Sequence, residues 1–250
     1  MFPLRDENPT LQTSVITFLI IGINIFVWFF IQGFGGQYSL SESVCNYGLI
    51  AGELLKTVPQ GTIIPVGKGL SCVVDSKDSM FTLVSHMFMH GSWLHLIGNM
   101  WFLFVFGDNV EDSMGRFRFI IFYLLCGFIA AMTQVAIDPT SIIPMVGASG
   151  AIGGIMGAYA ILYPRAPVHM LVILGFYIDK IIVPAYFMLG YWFVLQIISA
   201  LPMIGGKSAG VAFWAHIGGF LGGIILIQLF KKRERVKAQR ENVFRRWGRW

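Results

Sequence analysis

The chain has 250 residues, of which 56% are hydrophobic and 12% charged, with a mean hydropathy of +0.69 and a net charge of +5. A soluble domain carries about 25% charged residues. The composition therefore excludes an ordinary soluble domain and indicates a membrane protein.

Six apolar runs have the length and composition of membrane-spanning helices, which need about 20 residues each. In chain order they are Thr13–Gly33, Trp93–Asp108, Phe117–Ile137, Gly147–Tyr163, Ile181–Ala200 and Gly210–Phe230. The second run is short, and Phe81–Met89 can lengthen it. The first is too long for a secretory signal and follows a mixed-charge segment, so we expect a retained helix.

These runs predict an all-α, polytopic membrane protein with one membrane domain. Residues 1–12 form a short N-terminus, residues 13–230 the six-helix domain, and residues 231–250 a basic tail. With both termini in the cytoplasm, fourteen Lys and Arg residues lie inside and four outside, as the positive-inside rule requires. We expect a multi-pass protein of a cell membrane, such as a bacterial inner membrane.

The tail KKRERVKAQRENVFRRWGRW carries nine of the basic residues. A polybasic segment directly after a membrane helix is typical of an orientation signal that contacts anionic lipid. We therefore expect lipid, and no nucleic acid, as its partner.

Residues 34–80 form the largest segment without a predicted span, and turn-forming residues suggest an irregular external loop. Its apolar side chains predict contact with the membrane interface. Cys45 and Cys72 both lie in it. A disulfide between them and two free thiols are equally compatible with the sequence.

Polar side chains inside predicted spans are candidates for function. His95 and Asn99 are four residues apart, so a helix presents them on one face. Two N–H groups could then point to one place, although His and Asn also join helices by hydrogen bonds. His86 and His90 have the spacing of two zinc ligands, but Met87 replaces the glutamate of that motif, so no metal is predicted.

Two spans carry complementary rows of small residues. Ser149, Gly153 and Gly157 recur every four residues in the fourth span, and Gly219 and Gly223 follow His216 in the sixth. If these faces pack together, Ser149 and His216 come within about 2.6–3.2 Å, as a nucleophile and its base must. The second, fourth and sixth spans run in the same direction, so His95, Asn99, Ser149 and His216 lie at one level near the outer face.

Three motifs in this order resemble those of the rhomboid family of intramembrane serine proteases. They are His90-x4-His95-x3-Asn99, Gly147-Ala148-Ser149-Gly150, and Ala215-His216-x2-Gly219-x3-Gly223, and Glu111-x3-Gly115 also matches. The nucleophile elbow of α/β-hydrolases does not fit, because Ala151 replaces its last glycine and no strand pattern precedes it. The chain departs from the family's pattern in one respect. Many members carry a Trp-Arg pair in the first external loop, whereas residues 34–80 contain neither Trp nor Arg.

The resemblance implies a role for each matching residue. Ser149 would be the nucleophile and His216 the general base, as a dyad without an acidic third member. His95, Asn99 and the backbone N–H of Ser149 would form the oxyanion hole, and His90 would be a supporting residue near the leaving-group side. Packing around the site would depend on small residues: Gly147, Gly150, Gly153, Gly157, Gly219 and Gly223.

The resulting prediction is an intramembrane serine endopeptidase that cuts single-pass membrane proteins near the outer face without a cofactor. The fifth span and the segment Leu201–Ala209, with Gly205-Gly206 as its hinge, would move to admit substrate. Two alternatives stay open. A silent relative would bind membrane proteins without cutting them, and a transporter or channel would use the polar cluster as a pathway.

Overall fold

The computed structural model describes residues 2–67, 70–74, 79–175, 177–204 and 211–247. Ten α-helices lie in these ranges. They are α1 (Val15–Phe30), α2 (Gln37–Tyr47), α3 (Ala51–Leu54), α4 (Thr82–Ser85), α5 (Trp93–Met114), α6 (Arg116–Ile137), α7 (Ser149–Leu162), α8 (Ala185–Ile204), α9 (Phe213–Phe230) and α10 (Arg233–Trp247).

Each of the six predicted runs overlaps one long helix: α1, α5, α6, α7, α8 or α9. The helix α5 continues to Met114, beyond the predicted end at Asp108. Within the described residues, three stretches are long and apolar enough to cross a membrane, namely Arg116–Ile137, Ala185–Pro202 and Phe213–Phe230. Helices α1 and α7 are apolar but shorter. The fold is therefore a mostly helical bundle with three clear spanning candidates, and the count of six spans stays a prediction.

The expectation of an all-α protein was wrong in detail, because five strands accompany the helices in the part of the chain that the structure describes. Strands β1 (Phe2–Asp6), β4 (Pro167–Leu174) and β5 (Tyr177–Pro184) form one antiparallel sheet in the order β1-β4-β5. Strands β2 (Ile63–Gly67) and β3 (Leu70–Val73) pair as a hairpin. The helix of the predicted fifth span begins four residues later than expected, because residues 181–184 belong to β5. Their apolar pattern is equally typical of a strand.

The segment 34–80 is not the irregular loop that its turn residues suggested. It contains α2, α3 and the β2–β3 hairpin, and a disulfide joins Cys45 to Cys72. Backbone hydrogen bonds of 2.9 and 2.8 Å between Leu49 and Met145 attach this segment to the chain that leads into α7.

Other boundaries also differ from the predictions. Residues 81–89 do not lengthen α5; they form α4 and a 3₁₀ turn, and Ser92 starts α5 by accepting the N–H of His95 at 3.2 Å. The helix α8 extends to Ile204, but residues 205–209 of the predicted mobile segment lie outside the described residues.

The central helix is α7, which contacts α5, α6, α8 and α9. Gly150 to Tyr159 are all buried. Where α7 meets α9, the backbones touch directly. A Cβ on Gly219 would collide with the carbonyl oxygen of Gly150, and a Cβ on Gly223 with that of Gly154. Small residues at these positions therefore set the distance between the two helices.

The end of α7 away from Ser149 is closed by the two chain termini. The predicted basic tail forms α10 there, where Gln239 is fully buried and donates to Asn109 at 2.5 Å. Arg240 donates to the carbonyl of Leu162 at 2.7 Å.

Near the same end, Glu111 caps the start of α1. Its carboxylate accepts the backbone N–H groups of Ile16 and Thr17 at 3.0 and 2.8 Å.

Candidate active site

Ser149 is the first residue of α7 and is partly buried. The turn before it requires a glycine, since Gly147 has a φ of +130°. The N–H of Gly147 donates to the carbonyl of His86 at 2.9 Å, which holds this turn against the segment before α5. Ser149 thus lies where the backbone N–H groups of a helix start are free to bind negative charge.

His216 reaches Ser149 from the neighbouring helix α9. The Oγ of Ser149 and the Nε2 of His216 are 2.7 Å apart, which is a normal hydrogen bond. Two glycines permit this approach. A Cβ on Gly153 would lie 3.1 Å from the carbonyl oxygen of His216, and a Cβ on Gly157 would collide with that of Phe220.

The other side of the His216 ring is held by α8. The Nδ1 of His216 lies 2.8 Å from the Oε1 of Gln196. The Trp192 ring lies beside the imidazole, with centroids 5.9 Å apart and planes tilted by 35°. Neither Gln196 nor Trp192 was among the residues predicted from the sequence. The available signal was an amide in the middle of an apolar run, which is costly there unless it is paired.

His95 and Asn99 lie on one face of α5, as predicted, and line the same cavity as Ser149. The N–H of Gly91 donates to the Nδ1 of His95 at 3.3 Å. Because a backbone N–H can only donate, Nδ1 is the acceptor, and a neutral ring carries its hydrogen on Nε2. That nitrogen faces the turn before Ser149, since a Cβ on Gly147 would lie 2.7 Å from it.

Asn99 supplies a second unengaged donor. Its side chain is 7% exposed, and its Nδ2 has no hydrogen-bond partner among the described residues. A buried amide without a partner is costly, which is a reason to expect that it serves a ligand.

His90 lies behind His95 and does not line the cavity. It is fully buried, and its ring meets that of His95 edge to face with centroids 5.1 Å apart. Gln32 fixes its backbone by two hydrogen bonds, of 2.9 Å to the N–H and 2.8 Å to the carbonyl. His90 therefore packs against His95 from outside the cavity.

The cavity around Ser149 has a volume of about 1030 Å³. Its lining includes the four predicted polar residues, a tryptophan of α8, two glycines and the connection before α7: Ser149, His216, His95, Asn99, Trp192, Gly147, Gly150 and residues 138–146. It is large enough for a peptide segment of a few residues. Four polar groups from α5, α7 and α9 thus meet in one cavity among apolar helices.

The fold and this site define a helical membrane protein in which a serine and a histidine share a cavity among the helices. The sequence model of the Rhomboid domain matches residues 77–233. This match covers more than half of the chain, which therefore belongs to the rhomboid family.

Relatives from several organisms are similar to this chain. Rhomboid-like protein 11, chloroplastic, of Arabidopsis thaliana is 28% identical over 156 residues, 61% of this chain and 53% of that protein. Rhomboid protein 1, mitochondrial, of Saccharomyces cerevisiae is 26% identical over 187 residues, 70% of this chain and 49% of that protein. Rhomboid-like protease 5 of Toxoplasma gondii is 29% identical over 159 residues, 61% of this chain and 16% of that protein. The chain spans about half of the length of the first two relatives and less of the third.

Proposed function

We propose that this protein is an intramembrane serine endopeptidase that cuts the transmembrane segments of single-pass membrane proteins near the outer face. The observation that carries the proposal is the 2.7 Å contact between Ser149 Oγ and His216 Nε2 inside a cavity that also holds unengaged donors. Membership of a family composed generally of serine proteases supports it.

In the proposed reaction, Ser149 Oγ attacks the carbonyl carbon of the scissile peptide bond while His216 Nε2 takes the hydroxyl proton. The bond from carbon to the leaving nitrogen then breaks, and His216 gives its proton to the departing amine. Water, with His216 again as base, attacks the acyl-enzyme ester and releases the second product and Ser149. The proposed reaction needs neither a cofactor nor a metal.

The tetrahedral intermediates carry a negative oxygen that must be stabilised. The proposed donors are the Nε2–H of His95, the Nδ2–H of Asn99 and the backbone N–H of Ser149. Donors that are already in place in a water-poor cavity lower the barrier more than the same groups in water. The unpartnered state of Asn99 in the free protein fits this role.

The proposed orientation places Ser149 near the outer face and both termini in the cytoplasm, with the six long helices as the spans. The disulfide between Cys45 and Cys72 fits an oxidising compartment on the Ser149 side, such as the space outside a bacterial inner membrane. The basic residues of α10 would face anionic lipid on the opposite side.

Cleavage of a test substrate with one transmembrane segment, by the purified protein in detergent, tests this proposal. We expect Ser149→Ala to reduce cleavage by about 10³-fold or more, because the nucleophile is lost. Ser141→Ala is the matched control, since Ser141 lines the same cavity but its Oγ only accepts a backbone N–H, of Ile143, at 3.4 Å. Cleavage that persists in Ser149→Ala would overturn the assignment.

A fluorophosphonate probe separates a protease from a silent relative. We expect the probe to label the wild-type protein at Ser149 and to fail with His216→Ala, because the serine then lacks its base. If the folded wild-type protein neither reacts with the probe nor cuts the substrate, a binding role without proteolysis is favoured.

A further inference from the structure

Gln196 lies on α8. It contacts the Nδ1 side of the His216 ring, whereas Ser149 contacts the Nε2 side. Gln196 is 9% exposed, and among the described residues its amide makes two hydrogen bonds: Oε1 is 2.8 Å from His216 Nδ1, and Nε2 donates to the carbonyl oxygen of Trp192 at 3.3 Å. The roles proposed above leave this buried amide without a function.

The contact with Trp192 determines which way the amide of Gln196 points. The backbone carbonyl of Trp192 can only accept a hydrogen bond, so the NH₂ group of Gln196 must face it. The carbonyl oxygen of the amide then faces His216. This orientation is fixed within α8 itself, because Trp192 precedes Gln196 by one helical turn.

The orientation of the amide in turn determines the protonation of His216. An amide oxygen can only accept, so the Nδ1 of His216 must carry the hydrogen. In the neutral ring, Nε2 is then left with its lone pair directed at Ser149 Oγ, 2.7 Å away. Only this tautomer can take the proton of the serine; the other would present an N–H to Ser149.

We propose that Gln196 is a positioning residue that holds His216 in the tautomer able to accept the proton of Ser149. The inference rests on the proposed protease function. A neutral amide performs this task without placing a negative charge among apolar helices, where an unpaired carboxylate would be costly. The Trp192 ring restricts the same imidazole from the side, so two residues of α8 together orient the base.

The direct test reads the tautomer of His216 and needs no turnover. The ¹⁵N NMR spectrum of the protein labelled at histidine distinguishes a ring nitrogen that carries hydrogen from one that does not, and His216→Ala identifies the signals. We expect a hydrogen on Nδ1 in the wild-type protein. In Gln196→Met, which keeps the length of the side chain but replaces the amide oxygen with a much weaker acceptor, we expect the population with hydrogen on Nε2 to increase.

The kinetic test separates positioning from general loss of structure. We expect Gln196→Met to lower kcat by about 10–100-fold with KM changed less than about two-fold, because the chemical step and not substrate binding is affected. Gln196→Glu keeps an acceptor for Nδ1–H and should retain activity within about ten-fold. Gln228→Met is the matched control: it makes the same exchange at an exposed site on α9, and no change is expected.

The outcomes distinguish the two proposals. If the wild-type protein shows no cleavage that depends on Ser149, the protease function fails, while the tautomer measurement still tests Gln196. If Gln196→Met folds and keeps both the wild-type tautomer and kcat, the role of Gln196 is wrong. If Gln196→Met does not fold, Gln196→Asn, whose shorter amide cannot reach Nδ1, carries the same expectations and the same contradicting result.

Discussion

Asn99 illustrates how a single residue can be costly for stability and useful for chemistry. Its buried Nδ2 has no partner among the described residues, whereas an asparagine that joins helices would be bonded on that side. A donor that is left unengaged inside an apolar bundle lowers stability by about 1–3 kcal/mol. If Asn99 instead joined two helices by a hydrogen bond, its removal would lower stability. If it is an unengaged donor, its removal should leave stability unchanged or raise it.

Asn99→Leu tests this difference. We expect kcat to fall by about 10²–10³-fold, as for the loss of one oxyanion donor, with KM nearly unchanged. The melting temperature in detergent should stay the same or rise, because an unpaired polar group is removed. A large fall in melting temperature together with unchanged kcat would show that Asn99 serves packing instead.

Asp6 is a second residue in a costly position, at the opposite end of the molecule and outside the predicted spans. Tyr159 donates its hydroxyl to the Asp6 carboxyl, and Asn109 Nδ2 lies 3.1 Å from Asp6 and 3.0 Å from Asp108. Burial, and then the nearby charge of Asp108, raises the pKa of Asp6 from 3.8 to about 8. The folded protein therefore holds this proton more tightly than the unfolded chain does.

The sign of the pH dependence follows from this shift. Between about pH 4 and pH 8 the folded state keeps the Asp6 proton that the unfolded state has lost, so stability should fall as pH rises through this window and level off above it. We expect Asp6→Asn to remove this part of the dependence, measured as melting temperature against pH in detergent. Asp138→Asn, in the connection after α6, is the control; an identical pH dependence in Asp6→Asn and wild type would contradict the prediction.

At the scale of elements, the sequence predicted helices far better than strands. Long apolar runs with few charges identify α6, α8 and α9 because a helix satisfies its own backbone and needs only its local sequence. The pairing of β1 with β4 joins Phe2 to Leu171, and no local pattern specifies such a distant partner. The short strands β4 and β5 are apolar enough to resemble parts of a helix.

The candidate site also has a part that local sequence predicts and a part that it does not. The predictable part consists of four residues whose helical spacing and order along the chain place them at one level: Ser149, His95, Asn99 and His216. Gln196 was not predictable, because its relation to His216 exists only through the packing of α8 against α9. The tail was interpreted by its charge alone, and the burial of Gln239 within α10 could not be predicted from that charge.

The direct contact of α7 with α9 can be tested with one methyl group. A Cβ on Gly157 would collide with the backbone carbonyl of Phe220, which cannot rotate away, so Gly157→Ala must separate the helices and draw His216 from Ser149. We expect about 1–3 kcal/mol less free energy of unfolding and a marked loss of cleavage. Gly153→Ala, whose Cβ would lie 3.1 Å from the His216 carbonyl, should have a smaller effect.

The control for this prediction is Gly22→Ala in α1. Apart from the neighbouring backbone of α1, no atom lies within 4 Å of a Cβ at that position. The exchange should therefore stabilise the helix by up to about 1 kcal/mol and leave cleavage unchanged. Denaturation in mixed detergent micelles measures both variants. Equal stability and equal activity of Gly157→Ala and Gly22→Ala would show that the contact of the helices does not hold the two residues together.

At the scale of the whole molecule, the two ends of the bundle differ in chemistry. The Ser149 end carries the disulfide segment, which Leu49 and Met145 attach to the chain before α7. The other end carries β1, the β4–β5 hairpin and α10, and Arg240 binds the last turn of α7 there. Ser149 and α10 lie at opposite ends of α7. If the basic α10 faces the cytoplasm, as its charge suggests, Ser149 must therefore cut proteins near the outer face.

Thiol labelling in whole cells tests this orientation. The native cysteines do not interfere, since Cys45 and Cys72 are paired and Cys126 is buried. Gln60 and Glu241 are exposed, the first in the turn before β2 and the second on α10. We expect a membrane-impermeant maleimide to label Gln60→Cys in intact cells and to label Glu241→Cys only after the membrane is opened. The reverse pattern would place Ser149 near the cytoplasmic face, and substrates would then be cut on that side.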